Sequence, residues 1–155
     1  KELEKSRRKV TVTASDVSAE ALELAKENAE ANEANINFIQ SDLFARIRGR
    51  YNIIVSNPPY IPSKEIDALQ REVRDFEPRS ALDGGADGLT FYRILAENAE
   101  KHLADGGYLM MEIGCDQGEA VRQLLEENEN YSTAVVLQDL NHLDRIVIAE
   151  RKGRE

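Results

Sequence analysis

Residues 51–60 have the sequence YNIIVSNPPY and decide the class of fold. The consecutive apolar residues Ile53-Ile54-Val55 predict a short strand that is covered on both faces. The motif Asn57-Pro58-Pro59-Tyr60 follows, and its prolines end the strand because they fix φ and lack a backbone donor. Ligands of open α/β sheets bind beyond the carboxyl ends of the strands. The motif is therefore predicted to lie at the functional edge of a sheet.

Strand-like and helix-like segments alternate on both sides of this motif, which predicts an α/β fold. The patterns predict helices over residues 19–33, 64–74, 89–103 and 117–127. They predict strands over residues 10–14, 36–40, 51–56, 108–112, 133–137 and 145–150. Residues 138–144 are too few for a helical crossover, so the last two strands are expected to pair antiparallel. We expect one domain over residues 1–155, with a mostly parallel sheet that ends in an antiparallel hairpin.

The composition of the chain excludes several classes of protein. No apolar run approaches the ~20 residues that a membrane span needs, and residues 1–10 lack the apolar stretch of a secretory signal. Cys115 is the only cysteine, so no internal disulfide and no metal-ligand cluster are expected. The net charge of −9 argues against direct binding to a nucleic-acid backbone. These features favour a cytoplasmic protein with no bound metal.

The Asn57-Pro58-Pro59-Tyr60 motif has the chemistry to hold an NH2 group. The carbonyl of Pro58 is rigidly placed, since Pro59 has no N–H to compete for it. The side chain of Asn57 adds a second carbonyl, and two acceptors suit a group with two donors. Tyr60 offers a flat π face to a planar group. The alternative is that the motif is only a stiff turn that closes a buried strand.

Carboxylates follow the two strands that precede the motif. Asp16 ends the first predicted strand and has the oxygens to accept from a ribose diol, although an aspartate there also suits a turn or a helix cap. Asp42 follows the second strand, where it is able to accept from the amino group of an adenine. Leu43 and Phe44 are placed to pack on the ring. A turn with core anchors is the alternative for this segment.

In combination these motifs resemble the class I methyltransferases of the NPPY group. The segment FEPRSALDGGADGL at residues 76–89 is more specific. It is similar to the protein-(glutamine-N5) methyltransferases that modify peptide-chain release factors, the HemK type. Residues 112–118, EIGCDQG, and the pair Asp144-Arg145 also resemble that family. The resemblance implies a Rossmann-like α/β sheet and a methyl transfer from S-adenosylmethionine.

The resemblance also implies roles for individual residues. The cofactor S-adenosylmethionine is expected to contact Asp16, Asp42, Leu43 and Asn57. The catalytic residues are expected to be Asn57, Pro58, Pro59 and Tyr60. Asn57 and Pro58 would accept hydrogen bonds from a glutamine amide, Pro59 would shape the pocket, and Tyr60 would pack against the amide plane. The implied partner is a release factor, methylated on the glutamine of its Gly-Gly-Gln loop.

The chain departs from the family pattern at its start. Family members carry a first strand and a glycine-rich loop upstream of the ribose-binding acid, whereas only 15 residues precede Asp16 here. We therefore expect this sequence to lack the first strand of the sheet. On its own it should bind the cofactor weakly or not at all and be inactive. Exposed sheet edges would favour self-association.

Two other functions fit the same residues. A nucleic-acid methyltransferase would hold the exocyclic amino group of an extruded adenine or guanine with the same motif. The acidic balance and residues 76–89 weigh against it. A non-catalytic interaction module would keep the fold without the cofactor site.

Overall fold

The computed structural model of the protein describes residues 10–153, which divide into two compact units between Gly49 and Arg50. The first unit contains β1 (Val12–Asp16), α1 (Ala19–Ala31) and β2 (Ile36–Gln40). Ser18 begins the helix because its side chain accepts a hydrogen bond from the Ala21 amide at 3.1 Å. β1 and β2 pair in parallel through this helical connection. The predicted order of strand, capped helix and strand is confirmed.

The second unit contains a four-stranded sheet. Its strands are β3 (Tyr51–Ser56), β4 (Leu103–Glu112), β5 (Val135–Gln138) and β6 (Asp144–Glu150), in the spatial order β3-β4-β6-β5. β3 and β4 pair in parallel, whereas β6 is antiparallel to both β4 and β5. The predicted α/β fold with an antiparallel hairpin at its end is therefore confirmed.

Four helices accompany this sheet: α2 (Arg71–Arg74), α3 (Arg79–Leu82), α4 (Thr90–Asn98) and α5 (Gly118–Glu126). Helix α4 corresponds to the helix predicted over residues 89–103. It ends at Asn98, and a 3-10 turn over Ala99–His102 leads directly into β4. Leu103 pairs with Tyr51 of β3, so strand pairing sets the end of the helical segment. Helix α3 was not predicted.

The core lies on one face of the four-stranded sheet. Alternate strand residues on this face are at most 1% exposed, namely Leu109, Met111, Val147 and Ala149, and α5 adds the buried side chains of Val121 and Leu125. Alternate residues on the opposite face are exposed, with Ile53 at 54% and Val55 at 74%. The expectation that β3 is covered on both faces is therefore wrong for the described residues. Side chains alternate along a strand, and the buried helix side chains meet only one of the two faces.

Four strands have an unpaired edge within residues 10–153. β1 and β2 pair only with each other, β3 pairs only with β4, and β5 pairs only with β6. An unpaired strand edge presents free N–H and C=O groups, which is the feature that favours association. Self-association through these edges stays a prediction.

Three further features of the described residues concern membrane spans, metal sites and the single cysteine. None of the helices in residues 10–153 has the length and apolar character that a membrane span requires. In the same part of the chain no group of His, Cys, Asp and Glu side chains could hold a metal ion. Cys115 is a free, exposed thiol.

The buried face of helix α5 leads to a prediction about stability. Leu125→Ala removes a fully buried side chain and should lower the free energy of unfolding by ~2–5 kcal/mol, because the cavity adds to the lost apolar burial. Leu140→Ala is the matched control, since Leu140 is 99% exposed and its truncation should change stability by less than ~0.5 kcal/mol. Urea unfolding followed by circular dichroism measures both. Equal effects of the two changes would contradict the proposed core.

Candidate active site

The Asn57-Pro58-Pro59-Tyr60 motif begins where β3 ends at Ser56. Ser56 lies opposite Met111, so the carboxyl ends of β3 and of its parallel neighbour β4 lie on the same side of the sheet. Pro58 is buried, Pro59 and Tyr60 are half-buried, and Asn57 is exposed. Within the part of the chain that the structure describes, the Asn57 side chain makes no hydrogen bond. Its amide is therefore available to a ligand.

The backbone that follows the motif is held by residues 82–85. The Ile61 amide donates to the Leu82 carbonyl at 3.0 Å, and the Gly84 amide donates to the Ile61 carbonyl at 2.9 Å. One step further, the Ser63 amide donates to the Gly85 carbonyl at 2.9 Å. These bonds form a short parallel bridge between the two segments. The motif is thus a pinned loop rather than a free turn.

Two glycines allow this close approach. A Cβ atom at Gly84 would lie 2.8 Å from the backbone carbon and Cα of Tyr60. A Cβ atom at Gly88 would collide with the Tyr60 carbonyl oxygen and lie 2.7 Å from Nε2 of Gln117. Gly88 also has a φ of +76°, which disfavours residues with a side chain. The glycines of residues 84–88 therefore let the segment lie directly against the Tyr60 backbone.

Asp83 fixes the same segment from the side. Its Oδ1 accepts from the Ser63 hydroxyl at 2.6 Å and from the Gly85 amide at 3.0 Å. Arg79 of α3 donates to Oδ2 at 3.2 Å. The hydrogen bond from Ser63, and then that from Gly85, hold the pKa of Asp83 below its usual value. Asp83 is therefore an ionised anchor at neutral pH.

Tyr92 of α4 supports the carboxyl end of β4. Its side chain is fully buried, and its hydroxyl donates to the Glu112 carbonyl at 2.8 Å. Burial raises the pKa of the Tyr92 phenol, and the neighbouring Tyr60 and Glu112 raise it further. Tyr92 therefore stays protonated and acts as a hydrogen-bond donor rather than as a base.

Gln117 connects the motif to the loop that follows β4. Its side chain is buried, and Nε2 donates to the Tyr60 carbonyl at 3.0 Å. Oε1 accepts from the Gly114 amide at 3.0 Å. One buried side chain thus links the ends of two neighbouring strands.

The two carboxylates of the first unit lie at one edge of its strand pair. The Ser41 amide donates to the Asp16 carbonyl at 2.9 Å, so β1 and β2 end together. Oδ1 of Asp16 accepts from the Ser18 amide at 2.8 Å, which is the turn role weighed for it above. Among residues 10–153, Oδ2 of Asp16 and the Asp42 carboxylate have no hydrogen-bond partner, and both side chains are exposed.

Leu43 has an unusual backbone conformation beside Asp42. Its φ is +43°, a region that residues with a side chain rarely adopt. The buried Ser41 hydroxyl donates to the Leu43 carbonyl at 2.9 Å and accepts from the Arg46 amide at 2.9 Å. These two bonds hold the strained loop, and the loop leaves Asp42 facing solvent. Strained residues of this kind often mark ligand sites.

These acceptors fit a ligand with hydroxyl and amino donors. The free Oδ2 of Asp16 suits the diol of a ribose, and the free carboxylate of Asp42 suits an amino group. S-adenosylmethionine carries both groups, so the residues of the first unit fit the implied cofactor. Asp16 and Asp42 belong to the first unit and the Asn57 motif to the second. That the two sets act as one site stays a prediction.

Comparisons with known proteins give the class of the protein. The profile of the family described as "Methyltransferase small domain" matches residues 1–75. The crystal structure of a methyltransferase from Pyrococcus furiosus has a TM-score of 0.68 at 20% identity, covering 98% of this chain and 68% of that chain. These matches show that the chain has the fold of a methyltransferase domain.

The sequence relatives are more specific. A release factor glutamine methyltransferase of Geobacter sulfurreducens is 44% identical over 128 residues, which cover 82% of this chain and 45% of the relative. The release factor glutamine methyltransferase of Lactococcus lactis subsp. lactis is 42% identical over 145 residues, covering 94% of this chain and 54% of the relative. The chain is thus homologous to release factor glutamine methyltransferases over most of its length, which confirms the family resemblance. It spans about half the length of the curated relatives it matches.

Sequence reasoning gave no structural role to several residues that build the site. Gln117 and the glycines of residues 84–88 entered only through the family resemblance, and Tyr92 had the pattern of an ordinary helix residue. A signal was available in GGADG, because three glycines within five residues just before a helix suggest a close backbone approach. Nothing in the sequence indicated that the approach is to Tyr60.

The packing of Gly88 against Tyr60 generates a second prediction. Gly88→Ala should destabilise the protein by ~1–3 kcal/mol beyond the cost of positive φ, because the new methyl group has no space. Gly49→Ala is the matched control, since Gly49 has a similar φ of +85° and nothing within 4 Å of an added Cβ. Thermal unfolding measures the difference. If the two variants are equally stable, Gly88 is not packed as described.

Proposed function

We propose that the whole protein transfers a methyl group from S-adenosylmethionine to the side-chain amide nitrogen of the glutamine in the Gly-Gly-Gln loop of a peptide-chain release factor. The proposal rests most directly on the Asn57-Pro58-Pro59-Tyr60 motif, whose exposed Asn57 amide is unpaired among the described residues and whose backbone is pinned. It is supported by relatives named release factor glutamine methyltransferase that are more than 40% identical.

The main task of the protein in this reaction is to orient the substrate amide nitrogen toward the methyl group. An amide nitrogen is a weak nucleophile because its lone pair is delocalised into the carbonyl group. S-adenosylmethionine supplies an electrophilic methyl group when it is bound. Holding the nitrogen in line with such a group can contribute ~7–11 kcal/mol in well-oriented systems. A rigid motif is suited to that task in a way that a mobile turn is not.

Asn57 and Pro58 have the roles of acceptors in this proposal. Their carbonyl oxygens would accept from the two N–H groups of the substrate amide, which stabilises the positive charge that develops on nitrogen. Pro59 would fix the shape of the loop, and Tyr60 would pack against the amide plane. The Tyr92 phenol is held protonated, so it does not serve as a base. We assign the departing proton to solvent.

The cofactor would be held by the residues of the first unit. Asp16 would bind the ribose hydroxyls through its free Oδ2, since Oδ1 is occupied by the Ser18 amide. Asp42 would accept from the adenine amino group, with Leu43 beside the ring. Asn57 is also proposed to border the cofactor.

A nucleic-acid amino methyltransferase is the second candidate. Asn57 and Pro58 would serve an exocyclic amino group equally well, and Tyr60 would stack on the extruded base. The net charge of −9 and the names of the sequence relatives favour the protein substrate.

Asn57→Ala tests the acceptor role. In the whole enzyme the change should lower kcat for release factor methylation on the order of 10²–10³-fold, by analogy with the loss of one oxyanion-hole donor. Asn130→Ala is the matched control, because Asn130 is exposed and precedes β5 at the opposite edge of the sheet. Transfer of labelled methyl groups to the release factor measures both. A normal rate in Asn57→Ala would remove Asn57 from the mechanism.

The substrate is identified in the same assay. The whole enzyme is offered a release factor, tRNA with rRNA, or DNA, and label should appear only on the release factor. A release factor with glutamate in place of the Gly-Gly-Gln glutamine lacks the NH2 group and should take up no label. Label on nucleic acid alone would establish the second candidate, and label on no substrate would favour a non-catalytic module.

Asp16→Asn separates the turn role of Asp16 from cofactor binding. The asparagine keeps a carbonyl oxygen for the Ser18 amide but replaces the free carboxylate oxygen with an NH2 group. Binding of S-adenosylmethionine to the whole enzyme should weaken on the order of tenfold to a hundredfold, because a charge-assisted hydrogen bond is lost.

Asp139→Asn is the control for that change. Asp139 also caps a turn through Oδ1, which accepts from the Asn141 amide at 2.7 Å. Its replacement should leave cofactor binding unchanged. Isothermal titration calorimetry measures both variants, and equal affinities would show that Asp16 has only a turn role.

A further inference from the structure

We infer that Gln117 is a positioning residue of the transfer reaction, which sets the Tyr60 end of the Asn57-Pro58-Pro59-Tyr60 motif through one buried side-chain amide. The inference rests on the proposed function for the identity of the substrate. It does not require Gln117 to touch the substrate or the cofactor.

The geometry places Gln117 at a junction of three segments. Its Nε2 donates to the Tyr60 carbonyl at 3.0 Å and lies 3.4 Å from the Gly88 carbonyl. Its Oε1 accepts from the Gly114 amide at 3.0 Å. The residue is 8% exposed, so these protein groups take the place of water as partners. One side chain therefore ties the motif, the glycine segment and the end of β4 together.

The backbone of Gln117 is fixed independently of its side chain. Its amide donates to the Gly114 carbonyl at 3.0 Å, and its carbonyl accepts from the Val121 amide at 3.0 Å as α5 begins. Val121 is fully buried. The side chain therefore projects toward Tyr60 from a rigid base, and its reach determines where the Tyr60 carbonyl lies.

The junction needs a neutral side chain that both donates and accepts, as an amide does. It must donate to the carbonyls of Tyr60 and Gly88 and accept from the Gly114 amide, without a buried charge. A glutamate of the same size only accepts when it is ionised, and a methionine does neither. Both would leave the Tyr60 carbonyl without its donor and release that end of the motif.

The position of the motif matters because the reaction depends on how accurately the substrate nitrogen is oriented toward the methyl group. A displacement of about 1 Å far from the chemistry can cost on the order of 10²-fold in rate. Asn57 and Pro58 are joined to Tyr60 by the stiff Pro59, so a shift at Tyr60 reaches the acceptor oxygens. Loss of the Gln117 donor should therefore lower kcat more than it weakens cofactor binding.

Gln117→Glu in the whole enzyme tests this role. At pH 8.5 or so, the ionised carboxylate still accepts from Gly114 but opposes the Tyr60 carbonyl, so kcat should fall on the order of tenfold to a hundredfold. Burial raises the pKa of the introduced carboxyl, and its protonated form donates a hydrogen bond again. The activity relative to the unchanged enzyme should therefore recover as the pH falls through that raised pKa.

The pH series is read as a ratio of variant to unchanged enzyme. The titratable and charged groups around the junction are the same in both proteins and cancel in the ratio: Tyr60, Tyr92, Glu112, Asp116, Asp144 and Arg145. A buried carboxylate also lowers the stability of the fold at high pH, so thermal unfolding of the variant at each pH must show that it is fully folded at the assay temperature. Recovery of kcat at low pH in a variant that stays folded throughout then reports the restored donor. Cofactor affinity, measured by calorimetry, should stay within about threefold of the unchanged enzyme at every pH, well inside the predicted change in kcat.

Gln123→Glu is the matched control, because Gln123 is exposed on the same helix and donates only to Glu119 at 2.8 Å. It should leave both kcat and its pH dependence unchanged. Gln117→Met keeps the volume without a charge and should lose kcat with no recovery at low pH. It also takes the place of Gln117→Glu if that variant does not fold at high pH.

Two outcomes would overturn the inference. Normal kcat in Gln117→Met would show that the Tyr60 carbonyl needs no donor, and an equal loss of cofactor affinity and kcat would show a general structural role. Failure of the proposed function is distinguishable, because the unchanged enzyme would then label nucleic acid or nothing. If it labels nucleic acid, the same variants test Gln117 on that substrate.

Discussion

The close approach of residues 84–88 to the Tyr60 backbone is the contact on which the candidate active site depends. Gly84 and Gly88 leave no space for a Cβ atom there, and Gln117 closes the junction from the other side with a buried amide. A loop with two prolines is stiff by itself, but stiffness does not determine its position. The bonds of Ile61 with Leu82 and Gly84, together with the bond from Gln117 to the Tyr60 carbonyl, determine it.

This arrangement gives residues 76–89 a structural role beside the NPPY motif. The motif supplies acceptors that would suit any planar NH2 group. The segment behind it decides how the acceptors are presented. Asp83 is ionised and accepts from the Ser63 hydroxyl, and the glycines beside it lie against the backbone of Tyr60.

The two units use different devices to present polar groups at strand ends. In the second unit, glycines allow one backbone to lie against another. In the first, a buried serine holds Leu43 in a strained conformation beside the exposed Asp42. Both arrangements hold the backbone in a conformation that lowers the stability of the fold, which is common at sites that bind ligands. Asp16 combines a turn role with a free carboxylate oxygen, so the two interpretations of that residue are compatible.

The sequence by itself determined the strand over residues 36–40, the strand that leads into the NPPY motif, the Ser18 cap and the antiparallel hairpin. These depend on local pattern and turn chemistry, which neighbouring residues specify. It also determined the resemblance to release factor glutamine methyltransferases, because NPPY and residues 76–89 are contiguous motifs. Only the tertiary structure decided that helix α4 ends before strand β4 begins at Leu103. It also decided that one face of β3 is exposed and that Gln117 contacts Tyr60. Each of these depends on partners distant in sequence, with 57 positions separating Gln117 from Tyr60, and no local pattern records which distant groups will meet.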